Sequence, residues 1–516
     1  MLGPTSFPHG TALGATFNET LWDMVGTALS DEVRGFHRCA IARPTTLTRP
    51  RRHLTPPCCD SQGLAPLVMW SPTDVNMARD PRWGRAQEVA GECPFLNGEF
   101  GMHMSSALER GRAVDGYTQV ISTAKHFALY TCEQCQPCDS VTMATPDFPS
   151  DQYPRCQRDH FNAIATDQSI VEYYLPAFRA IVQSNAVSSV MCSYPSINGR
   201  PACGNSLFLT ELLRDTWNFS GYVVSDCGAI SDPAFSWFVN RSLGGSVTAR
   251  VGAAMKSGCD IGCDPWLNDF AKEALFDGTI SESTLNTAMT RLYSSFMKLG
   301  SLDEGSDGGR SCNAFSKIGP EAIDTPLHRQ ISLEAAIQSM ILLQNRGQLL
   351  PLAPATRVAL LGPHLNSTQA MISIYHMDMD GIYSVLAEKH SPLMAIMDHP
   401  HSHVVGHEVG CTDGVACLNM SGFENAATLA KSADVAIVFV GLVPGHAEMP
   451  TPVNESCDAR EDEGKDRPYT TLPGRQEELI QAVVAANPKT IVVLIHGGAV
   501  SIDWPKQHVP AILDAH

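Results

Sequence analysis

From Phe17 to about Gly300 the chain alternates helical stretches with short apolar runs, and that rhythm narrows the fold more than any other feature. Strands separated by helix-length segments pair parallel, each crossover laying a helix on the sheet, and a long series of such units closes toward a barrel. The strand candidates are Leu67-Val68-Met69-Trp70, Thr123-Ala124-Lys125-His126-Phe127, Val187 to Cys192, and Gly221-Tyr222-Val223-Val224-Ser225. Between them Phe161 to Gln183 reads as helix, with Tyr174, Phe178 and Ile181 at helical spacing, and a last barrel helix is expected from Ser281 to Leu299.

A chain of 516 residues exceeds one core. Ser301 to Pro320, rich in Gly, Ser and Asp, reads as a linker. Beyond it the spacing predicts a helix from His328 to Leu343 and a turn at Gly347 to Pro351. Strands follow at Val358 to Gly362, Val435 to Val440 and Thr490 to Ile495. This is the pattern of an open doubly wound sheet. The expected division is a barrel over 1–300, a linker over 301–325 and a second α/β domain over 326–516. Val509 to Leu513 reads as a further strand close to the end of the sequence, so more chain is expected after His516. Likewise, Met1-Leu2-Gly3-Pro4 lacks the basic and apolar regions of a signal peptide, and a longer N-terminus is expected. Cys39 to Gln62 has no periodicity and reads as a loop insertion or a mistranslated segment.

Composition excludes some partners. With 54 acidic and 36 basic residues the formal charge is −18, which repels nucleic acid and anionic membranes and suits a neutral substrate. No run of 18 apolar residues predicts a membrane span. Seventeen cysteines and sequons at Asn18, Asn218, Asn240, Asn366, Asn419 and Asn454 point to an oxidising, glycosylating route, hence a secreted or lumenal protein.

In a parallel barrel the reacting groups sit at the C-terminal strand ends, which singles out Asp226 directly after Tyr222-Val223-Val224-Ser225. The alternative for such an Asp is a helix cap. Lys125-His126 at another strand end supplies donors and positive charge that would hold a nearby carboxylate ionised. The loop Arg79-Asp80-Pro81-Arg82-Trp83-Gly84-Arg85, followed by Glu88 and Glu92, combines guanidiniums and carboxylates into an ion-paired rim, either a substrate wall or a loop brace. Cys192-Ser193-Tyr194 precedes Cys203, and a Cys192–Cys203 bridge would fix that loop, with Tyr194 facing the pocket or simply packing. Cys132-x-x-Cys135-x-x-Cys138 lacks a second ligand pair at zinc spacing, although Cys156 lies downstream, so disulfides are the expected fate. The acidic run Glu461-Asp462-Glu463-Gly464-Lys465-Asp466-Arg467 reads by composition as a solvated charge run, or else as a loop hanging over the first domain.

Taken together these segments resemble glycoside hydrolase family 3, in its β-xylosidase-like branch. The resemblance runs from about Thr5 to Asp514, apart from Cys39 to Gln62. It rests on Arg79 to Arg85, Lys125-His126-Phe127, Val190-Met191-Cys192-Ser193-Tyr194 and Val224-Ser225-Asp226-Cys227. In the second domain it continues through Ile341 to Asn345, Leu349 to Leu352, Asp466-Arg467 and Leu472-Pro473-Gly474. It implies an α/β fold: an incomplete TIM-like (β/α)8 barrel followed by an α/β sandwich with a mostly parallel sheet, and an active site at their junction. Asp226 matches the family's nucleophile, and Glu463 best fits its acid/base, with Glu461 as the fallback. Arg85, Lys125, His126, Arg158 and Tyr194 fall where members line the sugar pocket, and no metal or organic cofactor is implied. Cys227 after the nucleophile is similar to xylosidase-like members, where β-glucosidase-like members more often carry Trp.

The implied activity is retaining removal of a terminal β-linked xylose or related pentose from an oligosaccharide, through two carboxyl groups roughly 5 Å apart. Asp226 is expected to stay ionised beside Lys125 and His126, and Glu463 to hold its proton through burial or a negative neighbourhood. The same chemistry on β-glucosides, and an inactive carbohydrate-binding fragment, are the competing readings. Three positions depart from the family pattern. Gly91-Glu92-Cys93-Pro94 stands for Gly-Glu-Asp-Pro, Pro195 stands where Asn usually follows Ser-Tyr, and the Trp-Asn-Glu-Ala-Leu-His-Gly segment is not found before Thr5.

Overall fold

Four strands make the first sheet, in the order Val68–Met69, Ile121–Phe127, Ser189–Cys192, Tyr222–Ser225, every neighbour parallel; the edge strand Val68–Met69 is half-buried and the other three are buried on both faces. The computed structural model describes residues 4–41, 67–110, 116–133, 158–159, 161–231, 235, 245–263, 265–300, 302, 314–371, 391–444 and 459–516. Ser189 to Cys192 pair in register with Tyr222 to Ser225, which brings the residues after both strands to one end of the sheet. Val224 also bridges Ile261, continuing the sheet by one step. Among the described residues the sheet does not close, as expected of an incomplete barrel.

Helices cover the sheet because each presents one apolar stripe to it. Pro94–Arg110 packs between Glu19–Ile41 and Pro176–Gln183. The last of the series, Glu282–Lys298, starts where the Ser281 hydroxyl accepts the Thr284 N–H at 3.1 Å and stops before Gly300, whose φ of 68° leaves the helical region. The segment from Phe161 is not helical at its start. Asn162–Ala163 pairs with Ser196–Ile197, and helix begins only at Asp167 under a Thr166 cap. A wide turn over Ile170–Tyr174 precedes Pro176, which has no N–H to continue the regular ladder; the Leu175 N–H reaches back to the Ile170 carbonyl at 3.0 Å.

The second sheet runs His403–Glu408, Arg357–Leu361, Val435–Gly441, Thr490–Ile495, Ala511–Asp514, Ile341–Asn345, parallel except for the last strand. This is the α/β sandwich. The expected helix from His328 to Leu343 is instead a helix over Pro326–Ser339 followed by the antiparallel edge strand. A short apolar run such as Ile341-Leu342-Leu343 suits either structure, and pairing with Ala511–Asp514 decides it. His403–Glu408 escapes sequence reading because it is a polar, half-exposed edge strand with no buried run.

The helix Pro326–Ser339 sides with the first domain: Ile331 and Ala335 join the core of Leu13, Leu21, Trp22 and Phe100, and His328 Nδ1 lies 2.8 Å from buried Glu32. Of Ser301 to Pro320 only 302 and 314–320 are described, and most of Cys39 to Gln62 lies outside the described residues. No described helix is long and apolar enough to cross a membrane.

The acidic run is not solvated. Glu461 and Arg467 are buried, and the segment docks on the first domain. The Gly84 N–H donates to Asp466 Oδ1 at 2.9 Å, the Glu133 N–H to Asp466 Oδ2 at 2.7 Å, and the Arg467 N–H to the Arg82 carbonyl at 2.9 Å. A Cβ on Gly84 would sit 1.7 Å from the Lys465 carbonyl oxygen, so only glycine admits this approach.

Candidate active site

Asp226 leaves the Tyr222–Ser225 strand at the end facing the second domain, and its N–H donates to the Cys192 carbonyl of the neighbouring strand at 3.0 Å. Its Oδ1 accepts the Cys227 N–H at 2.7 Å. Its Oδ2 is buried, has no hydrogen-bond partner, and lies 3.6 Å from His126 Nε2. A Cys227–Cys263 disulfide ties the next residue to the loop after Ile261, and the expected Cys192–Cys203 disulfide is present. A third joins Cys411 and Cys417. Cys132 is half-buried, while Cys135, Cys138 and Cys156 lie outside the described residues, as do the sequons at Asn240 and Asn454.

His126 and Lys125 end the Ile121–Phe127 strand, both buried. Burial, then Arg85 and Lys125, pushes the His126 imidazole well below its ordinary value, so the ring is neutral and makes no ion pair with the carboxylates near it. Its Nδ1 faces Asn76 Oδ1 at 3.1 Å and Asp74 Oδ2 at 3.3 Å, which assigns the proton to Nδ1 and turns the bare Nε2 toward Asp226. Lys125 Nζ is 3.0 Å from Glu88 Oε2, and Arg85 forks onto the same carboxylate through Nε and Nη2. The expected electrostatics therefore need correction. His126 carries no charge to hold Asp226 ionised. Burial pushes the Asp226 carboxyl up, and the opposing pull comes from Arg85, the Cys227 N–H, Arg158 and Lys125.

Arg158 lies with its guanidinium 4.5 Å over the Tyr194 ring, and the Tyr194 hydroxyl donates to the Cys227 carbonyl at 2.8 Å. The Asp226 carboxylate lies close enough to act on the same phenol. Burial first, then the Asp226 charge, raises it. Glu463 enters from the second domain: its Oε1 is 2.6 Å from Arg158 Nη1 and 3.8 Å from Arg85 Nη1, with about a third of the side chain exposed. Glu463 is neither deeply buried nor among carboxylates alone: the Arg158 and Arg85 guanidiniums face it, and Glu133 shares Arg158 Nη1 with it. Glu461, the fallback, is fully buried with its two oxygens taken by the Gly497 and Gly498 amides. The structure thus gathers Asp226, Glu463, Arg85, Lys125, His126, Arg158 and Tyr194 into one connected group, and Glu461 braces the sandwich beside it.

Two family descriptions match the chain, the glycosyl hydrolase family 3 N terminal domain over residues 157–295 and the glycosyl hydrolase family 3 C-terminal domain over residues 340–516. The chain belongs to glycoside hydrolase family 3. It is 32% identical over 508 residues to beta-D-xylosidase 1 of Arabidopsis thaliana, an alignment spanning 98% of this chain and 55% of that protein. To beta-xylosidase/alpha-L-arabinofuranosidase 2 of Medicago sativa subsp. varia it is 30% identical, over 98% of this chain and 56% of that one. A solved family 3 exo-beta-xylosidase, in complex with a xylobiose aziridine activity-based probe, superposes with a TM-score of 0.79 at 28% identity over 99% of this chain and 57% of its own. The beta-glucosidase of Bifidobacterium adolescentis superposes at 0.71 with 25% identity, over 99% and 60%. The chain therefore spans a little over half the length of these relatives.

Sequence reading of this family 3 site missed Asp74, Asn76, Tyr130 and Glu133. All follow the ends of the first two strands, the same positional rule that singled out Asp226. Among the described residues one other group, Glu19, Glu99 and His103, has three side chains close enough to share a metal ion. It lies on the helices Glu19–Ile41 and Pro94–Arg110.

Proposed function

We propose that the chain is a retaining exo-glycosidase acting on terminal β-linked xylose or a related pentose, with Asp226 as nucleophile and Glu463 as acid/base. The observation that carries this reading is the uncommitted Asp226 Oδ2, a buried carboxylate oxygen with no partner at the C-terminal end of a barrel strand. Leaving a buried polar atom unpaired costs about 1–3 kcal/mol, a cost that a reacting partner recovers. In the first step Oδ2 forms a bond to the anomeric carbon, the glycosidic C–O bond breaks, and the Glu463 proton passes to the departing oxygen. In the second, Glu463 takes a proton from water, whose oxygen displaces Asp226. Arg85 and Lys125, both tethered to Glu88, and the Asn76-anchored His126 form a rigid wall against which hydroxyls of a neutral sugar would bind.

Preference for pentosides is supported by the xylosidase names of the similar proteins and by Cys227, whose bond to Cys263 keeps the wall after the nucleophile small. Aryl β-xyloside, α-arabinofuranoside and β-glucoside assayed side by side test the reading. The expected order puts β-xyloside first, with aglycone release lost in Asp226→Ala. Release led by β-glucoside would move the assignment to the glucosidase side of the family. Binding of xylo-oligosaccharide with no release of any aglycone would overturn it in favour of a carbohydrate-binding protein.

A further inference from the structure

One buried carboxylate near the proposed pocket touches both domains. Glu133 is fully buried in the loop after the Ile121–Phe127 strand, and its two oxygens collect four donors. Oε1 accepts the Trp83 indole N–H at 3.0 Å. Oε2 accepts the Tyr130 hydroxyl at 2.7 Å, Arg158 Nη1 at 3.1 Å and the Gly464 N–H at 3.0 Å. Its own N–H donates to Asp466 Oδ2 at 2.7 Å. Three of these donors converge on Oε2 and one on Oε1, a concentration that an ionised carboxylate suits.

Two of those four donors decide where Glu463 sits. Gly464 is the next residue, with φ 79°, and its amide fixes the turn that presents Glu463. Arg158 holds the Glu463 carboxylate itself at 2.6 Å. No other described carboxylate grips both the backbone beside Glu463 and the cation on its side chain. The geometry points to Glu133 as the positioning residue that seats the second-domain acid/base over the first-domain nucleophile. The inference rests on the reading of Glu463 as acid/base. Glutamine cannot replace it, because an amide offers one accepting oxygen and turns an NH2 toward donors already pointing inward.

The test compares the full chain with Glu133→Gln, Glu133→Asp and Glu463→Gln. The readouts are hydrolysis of aryl β-xylosides of graded leaving-group acidity and hydrogen exchange of residues 459–467. An activated aryl leaving group departs without a proton and a phenyl group does not, so loss of a well-placed acid is selective for the phenyl substrate. Glu133→Gln is expected to lower kcat/KM for the phenyl substrate by roughly 10²-fold and for the dinitrophenyl substrate by less than about 5-fold. Exchange across 459–467 should speed up, and the double variant with Glu463→Gln should be no worse than Glu463→Gln alone. Glu133→Asp, which keeps the charge and pulls it back by one methylene, should fall between, and carries the test if the Gln variant does not fold.

Equal losses on all leaving groups, or unchanged exchange at 459–467, overturn the inference. If Glu463→Gln shows the leaving-group dependence and Glu133→Gln does not, the positioning role falls while the acid/base reading stands. If Glu463→Gln shows none, or the unaltered chain releases no aglycone, the acid/base reading falls and the positioning role falls with it. Faster exchange in Glu133→Gln then marks a docking contact alone.

Discussion

The strand end that carries Asp226 and the loop that carries Glu463 reach the same group of side chains by opposite routes. Asp226 is set by local structure: four buried residues in register with the neighbouring strand, then a disulfide one residue later. Glu463 belongs to a segment with almost no regular structure, in which Arg460–Glu461 pairs over only two residues. That segment is held by what it docks on: Gly84, Arg82 and Glu133 from the first domain, Gly497 and Gly498 from its own. A carboxylate on a strand keeps its place when neighbours change. One on a docked loop depends on every contact beneath it.

The largest effect expected of this contrast is at the strand. Asp226→Ala should lower aryl β-xyloside turnover by roughly 10⁴-fold with the unfolding midpoint little changed, as for a nucleophile whose removal stops the covalent step. In the unaltered chain the acid limb of kcat/KM should lie above the 3.8 of an ordinary aspartate, because burial favours the neutral carboxyl and activity needs the ionised one. A limb at or below 3.8 would contradict the buried geometry. Next is the loop. Glu463→Ala should cost roughly 10²- to 10³-fold on substrates with poor leaving groups, and added azide should restore part of the second step.

Docking itself is tested by Arg467→Ala. This buried guanidinium donates through Nη2 to the Pro81 carbonyl at 2.8 Å and to the Ala499 carbonyl, and it offsets the Glu461 charge. Its loss should lower stability by about 3 kcal/mol, read as a shift in the urea midpoint, and should impair turnover as well. Unchanged turnover would show that the loop holds without it.

The smallest effect concerns a buried group just beyond a strand of the second sheet. His364 follows Arg357–Leu361, its Nε2 lies 2.8 Å from the Leu442 carbonyl, and burial pulls it from 6.5 to about 4. Between those values the unfolded chain binds the proton and the folded chain does not. Stability present above 6.5 is therefore lost as pH falls toward about 4, amounting to about 2 kcal/mol near pH 5. Urea midpoints across that range should drop less in His364→Asn.

Much of this was legible in the residues. Tyr222-Val223-Val224-Ser225 can only be a buried strand, and an acid after it stands at the reactive end. The helix expected from Ser281 to Leu299 was equally plain, and it runs over Glu282–Lys298. Other features were not legible. The charge of Asp462, Glu463, Lys465 and Asp466 suggests solvent, yet the Gly84 and Glu133 amides meet Asp466, and Arg158 and Arg85 meet Glu463. His126 looked like a cation, but desolvation outweighs its acidic neighbours and keeps it neutral. The split of His328 to Leu343 into helix and edge strand depended on Ala511–Asp514, whose Leu513 pairs with Leu342 far away in the chain.

By itself the sequence determined the buried strands with β-branched runs, most of the helices that flank them and the place of Asp226, because periodicity and β-branched runs act over a few residues. Only the tertiary structure decided which charges are buried, which side chains they meet and that Glu463 faces the first domain. Desolvation and ion pairing are properties of a three-dimensional neighbourhood, and no local stretch of residues encodes the distance between Arg158 and Glu463.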